Sequence, residues 1–178
     1  AQANMAHEPA IFRNIYQAKI GYKIAKTKDI WLDIGIMESH IGHESAKSGN
    51  HYNLTRNLLS ENTPYYSAGA HLKYTSSNDK FNVSLLALNG WQQITRPENN
   101  QFIAFGHQVQ YKPNQYWTFN SSSYIGDRTT TLDPRMMYFH NFYLQFEKKK
   151  FGITAAYDFA YQSFNDEINF MNAAIIEG

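Results

Sequence analysis

Residues 102–126 read FIAFGHQVQYKPNQYWTFNSSSYIG, and the way this stretch is oriented decides the fold. Apolar and polar residues alternate as far as Tyr111, Pro113 and Asn114 mark a tight turn, and the alternation resumes at Trp117. A period of two is the mark of a strand, because successive side chains point to opposite faces, so the stretch reads as a hairpin. The question is which face meets water. A soluble sheet buries its apolar face, whereas an outer-membrane barrel turns that face outward to lipid and keeps the polar one inside.

The alternation recurs along the chain. Eight segments read as strands, at about 14–25, 30–37, 65–74, 81–91, 102–111, 116–126, 137–147 and 151–162. Each is close to the roughly 9–11 residues that cross a bilayer when tilted. One parity collects Ile20, Ile34, Ile36, Tyr66, Ala68, Leu85, Phe105, His107, Ser121, Ser123, Ile125, His140 and Tyr161, with no Asp, Glu, Lys or Arg anywhere on it. The other parity holds Lys19, Lys23, Asp33, Lys73, Gln108, Asn120, Asp158 and many small polar residues. A soluble sandwich would also keep charge off one face, so the aromatic positions decide. Tyr22, Tyr74, Phe81, Tyr111, Trp117, Phe146 and Phe151 adjoin the short turns, where a membrane-interface girdle belongs. The expected fold is all-β, an antiparallel transmembrane barrel forming a single domain over 1–178, with a soluble lipocalin-like barrel as the competing reading.

Composition agrees with a barrel more than with a soluble domain. Aromatic residues make up 16 % and charged residues only 17 %, against about 25 % charged in an ordinary soluble domain. A net charge of +1 with scattered basic residues argues against nucleic acid as a partner. The absence of cysteine removes disulfides, thiolate metal ligands and thiol nucleophiles. A mean hydropathy of −0.55 does not exclude the membrane, because lipid-facing and lumen-facing residues cancel in the average.

Connections alternate in length. Those at 26–29, 75–80, 112–115 and 147–150 are short, whereas 38–64, 92–101, 127–136 and the tail from 163 are longer. Short turns belong in the periplasm and long loops outside. With 38–64 outside, residues 1–13 and the tail fall outside as well. Complete barrels with an even strand number keep both termini in the periplasm. The chain therefore reads as an internal piece of a larger barrel, the alternative being a complete eight-stranded barrel with an inverted loop pattern.

The segments SHIGHES (39–45), NLTRNLLSENTPYY (53–66), LLALNGWQ (85–92) and YFHNFY (138–143) resemble the OmpL-like β-barrel porin family of Gram-negative outer membranes. The resemblance implies an outer-membrane barrel with more than eight strands and a porin role; residues 1–13 and 163–178 carry no motif of that kind.

Candidate chemistry concentrates in the loop 38–64, either extracellular or folded inward. Glu38, His40, His43 and Glu44, with His51 nearby, offer imidazole and carboxylate groups. Their spacing lacks the HExxH pattern, so no metal and no cofactor is assigned. The segment NLTRNLLSEN can form one or two helical turns around Leu54, Leu58 and Leu59. If it folds into the lumen, Glu38, His40, His43, Glu44, Arg56 and Glu61 form a constriction. Pore-lining positions are Lys19, Lys23, Asp33, Lys73, Gln108, Asn120 and Asp158, with a Lys23–Asp33 pair expected across the first hairpin. No nucleophile–base arrangement is evident, so no catalytic residue is named and no enzyme is expected. His107 and His140, on the lipid-facing parity, suggest an interface, as do Ser121 and Ser123. The expected function is passive diffusion of small solutes across the outer membrane. The alternative is a structural or accessory barrel with a blocked lumen, with lipid and other outer-membrane proteins as partners.

Overall fold

The computed structural model describes residues 11–12, 15–45, 47, 49, 52, 55–96, 102–127, 136–164 and 167–178, without the side chains of 164 and 167. His51, Leu54 and the first ten residues lie outside that set, as does most of the 127–136 connection.

Among the described residues, alternation along the sequence becomes nine strands in one antiparallel sheet, in the order β1-β2-β3-β4-β5-β6-β7-β8-β9. They are β1 (Ala18–Lys23), β2 (Asp29–Glu38), β3 (Tyr66–Thr75), β4 (Phe81–Leu88), β5 (Ala104–Tyr111), β6 (Trp117–Asp127), β7 (Met136–Lys148), β8 (Phe151–Phe164) and β9 (Glu167–Glu177). Every strand pairs with its neighbour in sequence, and β1 and β9 are the two edges; the sheet is not closed among the described residues. One short helix, α1 (Leu58–Glu61), lies in the loop between β2 and β3.

Register carries the parity of the sequence across the whole sheet. Ile20 faces Ile34, Ile34 faces Ala70, Ala70 faces Ala87 and Ala87 faces Phe105. The row continues through Ile125, Tyr138 and Tyr161 to Phe170. These residues cover one face, on which Ile20, Ile34, Leu85, Phe105, Ile125 and Tyr161 are exposed. The tight turns collect aromatic rings at one end of that face. Phe81 stacks on Tyr111 at 4.5 Å, Trp117 packs on Phe146 at 4.6 Å, and Phe146 continues to Phe151 at 6.2 Å. An outward apolar band with an aromatic girdle is the pattern of an outer-membrane barrel rather than of a water-soluble one. The turn at 112–115 is closed by the Asn114 side chain, whose Oδ1 accepts the Tyr116 N–H at 2.9 Å.

Three expectations need correction. The tail after residue 163 carries a ninth strand, β9, antiparallel to β8, so Glu177 lies opposite Thr154 near the short-turn end. The segment therefore does not stay at the long-loop end. Ile36, Tyr66 and Ala68 have the lipid-facing parity but are buried in a cluster with Ile94, against Phe12, Ile15 and Tyr65. Parity fixes the side of the sheet a residue occupies and says nothing about what folds over it. Finally, Lys23 does not pair with Asp33. It reaches Asp29 at 3.6 Å, and Asp33 takes Lys19 at 2.8 Å and Lys73 at 2.6 Å.

Gly35 and Gly69 face one another on β2 and β3 with φ of 134° and 147°. A Cβ at Gly69 would lie 2.1 Å from the Ala87 carbonyl oxygen, and one at Gly35 would lie 2.2 Å from that of Ala18. Only glycine permits this backbone and this approach, and such paired positions bend a sheet. Gly69→Ala is expected to destabilise the lipid- or detergent-refolded protein by about 2–3 kcal/mol in denaturant unfolding. Gly49→Ala, where a Cβ meets nothing within 4 Å, is expected to leave the midpoint unchanged.

Candidate functional site: the concave face and the loop seated on it

The face opposite the apolar band carries the second parity, and the β2–β3 loop lies on it. Ile41 is buried among Leu86, Leu88, Ala104, Tyr124, Met137, Phe139 and Ala160, with Trp91 packed alongside. Each of the strand residues in that cluster belongs to β4–β8, so a two-residue hydrophobic insertion from neighbouring loops anchors the chain across several strands. Deeper in the same loop, Leu59 of α1 packs with Tyr143 and Ala156, against Ile175 of β9. The Tyr52 hydroxyl donates to Glu147 Oε1 at 2.7 Å, at the short-turn end of β7. Contacts thus run from the mouth of the sheet to its opposite rim.

Local chemistry explains why α1 forms where it does. Asn57 has extended backbone geometry and its Oδ1 accepts the Ser60 N–H at 2.9 Å, capping the helix N-terminus. The Asn57 backbone N–H in turn donates to Glu44 Oε2 at 2.6 Å, joining the two halves of the loop. Arg56 lies with its guanidinium 4.1 Å above the Tyr65 ring and donates from Nη2 to Thr63 Oγ1 at 2.9 Å. The Tyr65 hydroxyl donates to Glu61, holding that carboxyl below its usual range. Glu38 accepts from Tyr16 at 3.0 Å and from Lys47 at 2.9 Å.

His40 is only 4 % exposed and donates from Nε2 to the Ser123 carbonyl at 2.8 Å. Gly106 makes room for it, since a Cβ there would lie 2.6 Å from that nitrogen. The His40 carbonyl accepts from Gln108 Nε2 at 2.9 Å. From Gln108 a chain of amides crosses the wall: Gln108 donates to Asn120 at 3.0 Å, Asn120 to Asn141 at 3.3 Å, and Asn141 to Asp158 at 2.5 Å. Asn120, Asn141 and Asp158 are buried.

The sequence-predicted residues therefore divide into two groups. Gln108, Asn120 and Asp158 join with His40 in the covered part of the concave face. Lys19, Asp33 and Lys73 stand apart on β1–β3, where the lysine side chains are 41 % and 36 % exposed around a buried Asp33. Lys23 lies toward the turn. His43 and Glu44 meet Glu177 of β9, whereas Arg56 contacts Thr63 and Tyr65, and Glu61 accepts from Tyr65. Sequence reasoning missed Ile41, Tyr52, Asn57, Trp91 and Glu177. Trp91 falls at the end of the segment 81–91 that reads as a strand, whereas β4 stops at Leu88 and Trp91 packs against the Ile41 cluster.

On the apolar face, His107 and His140 find partners within the sheet. The Ser123 hydroxyl is 2.5 Å from His107 Nδ1, and His140 lies 3.0 Å from the Ser121 hydroxyl and 2.8 Å from that of Tyr138. The His140 ring also stacks on Phe159 at 5.5 Å. Pairing of this kind satisfies polar groups that hydrocarbon cannot.

Residues 1–175 match a protein family described as "Putative beta-barrel porin-2, OmpL-like". The chain belongs to that family. This porin membership spans the tail as well as the middle segments whose motifs carried the resemblance, and it places the chain among outer-membrane β-barrels of porin type. No curated protein and no solved structure matches it significantly.

Burial holds the His40 imidazole neutral, with its pKa lowered to about 4; the Ser123 hydrogen bond opposes this and the nearby His107 adds to it. The folded value lies below the usual 6.5, so the stabilisation is complete above pH 6.5 and is lost as pH falls through 4. Denaturant unfolding between pH 7 and pH 4 is expected to show a loss on the order of 3 kcal/mol attributable to this group. In His40→Gln that component of the pH dependence is expected to vanish.

Proposed function

We propose that this porin-family chain forms the wall of an outer-membrane channel through which small solutes diffuse passively, with the loop 38–64 as its constriction. The observation that carries the reading is the division of the concave face. Over β4–β9 it is covered by the loop, and over β1–β3 it keeps exposed charge at Lys19 and Lys73 around the single carboxylate of Asp33. A solute passing between the loop and the β1–β3 wall meets two cations for one anion, which favours anions mildly. Selection is then by size, set by the seated loop, and by this local field; no bond is made or broken. Lys19, Lys23, Asp33 and Lys73 line the passage, and Gln108, Asn120 and Asp158 act from beneath the loop by fixing its position.

The extent of loop burial also favours a second reading, a structural barrel whose lumen is closed and which serves with other outer-membrane proteins. Planar bilayers separate the two. Detergent-purified protein is expected to give stepwise conductance with an anion-to-cation permeability ratio above one, and Lys19→Gln with Lys73→Gln is expected to bring that ratio to one or below. Replacing residues 42–60 by a short Gly-Ser link is expected to raise unitary conductance at least two-fold. Silence in the intact protein, with conductance only after loop removal, would establish the closed barrel instead.

A further inference from the structure

His43, Glu44 and Glu177 come together where the loop meets the end of β9, and each offers one ligand atom, all within 4.8 Å of one another. His43 Nε2 lies 2.7 Å from Glu177 Oε1. Two glutamates converge here on one imidazole, in a place where the His43 and Glu177 side chains are 4 % and 7 % exposed. Glu44 is 5 % exposed, and its Oε1 has no hydrogen-bond partner although its Oε2 accepts the Asn57 N–H. A carboxylate oxygen buried to that degree without a donor is costly, because it has lost water and gained nothing.

Asn57 organises the rest. Its Nδ2 donates to Glu177 Oε2 at 3.0 Å and lies 3.2 Å from His43 Nε2, while its backbone N–H holds Glu44. One residue thus holds the Oε2 atoms of both carboxylates, while Glu177 Oε1 meets the imidazole and Glu44 Oε1 is left without a donor. Hydrogen bonds of this kind orient the carboxylates that ligate metal ions. Ligands at about 2.0–2.2 Å from a tetrahedral zinc ion stand about 3.4 Å apart, so closing the triad on an ion requires movements of about 1 Å.

We propose that His43, Glu44 and Glu177 form a binding site for a divalent transition-metal cation that ties the loop to β9. One imidazole nitrogen with two carboxylate oxygens is a zinc-type donor set, with water completing the tetrahedron. The sequence-level absence of HExxH does not bear on it, since the third ligand lies 134 residues from the first. The site goes beyond the channel reading and does not depend on it.

Equilibrium dialysis of tag-free, detergent-purified protein against zinc is the direct test, with cobalt substitution as a spectroscopic readout. The expected result is one zinc per chain, visible cobalt absorption bands of a low-coordinate site, and at least a ten-fold loss of zinc affinity in Glu44→Gln and Glu177→Gln. Glu44→Gln keeps an oxygen for the Asn57 N–H, so the fold has reason to survive, and circular dichroism checks that it does. His107→Gln, on the other face, is expected to bind zinc as the wild type does. Absence of stoichiometric zinc or of the cobalt bands in the wild-type protein overturns the proposal whatever the variants do, as does binding that folded Glu44→Gln and Glu177→Gln leave unchanged. Conductance plays no part in the readout, so a closed barrel and a missing metal site give different results.

Discussion

Backbone hydrogen bonding without water is the constraint on which the rest of the structure depends. In hydrocarbon every N–H and C=O must find a partner inside the protein, and a sheet does this only by pairing each strand with the next. Unbroken antiparallel pairing then locks the register, and a register with a side-chain period of two carries one parity from β1 to β9 without a slip. The apolar band, the aromatic rings at the tight turns and the polar concave face all follow from that single continuity. So does the pairing of polar side chains on the apolar face, His107 with Ser123 and His140 with Ser121 and Tyr138, where lipid offers no partner.

Strands with one greasy and one polar face were legible in the sequence, because alternation is what the two environments impose. β9 was not, and its residues show why. Ile168, Phe170 and Ile176 lie on the outer parity, but Met171, Ala173 and Ile175 occupy the inner one, where Ile175 packs against Leu59 and Tyr143. A strand apolar on both faces has no period of two to detect. The Lys23–Asp33 expectation failed for a related reason. Asp33 lies opposite Gly21, so Lys19 and Lys23 are equally its diagonal neighbours, and only the competing Asp29 assigns Lys23 elsewhere.

The loop was legible as a concentration of His, Glu and Arg but not as a geometry. Spacing within SHIGHES could not reveal that His40 reaches β6 through the gap at Gly106, or that His43 and Glu44 face a residue on the last strand. Those contacts depend on the sheet bringing distant strands beneath one loop. Asp158, read from its parity as a wall residue, is instead the end of an amide chain that begins under His40. Parity gave the face on which it lies, and the covering loop gave its role as support.

The tether between His43 and Glu177 also orders events in time. Neighbouring strands of a meander zip up through local contacts, and each hairpin can form as soon as its two segments exist. The loop follows β2 in sequence, yet its deepest partners belong to β7, β8 and β9, so it cannot take its seat until almost the whole chain has been laid into the sheet. Until then its ionisable groups remain in water. Docking of the loop is therefore a long-range step that follows the pairing of β7, β8 and β9, and a chain interrupted before β9 would leave the loop without its Glu177 anchor.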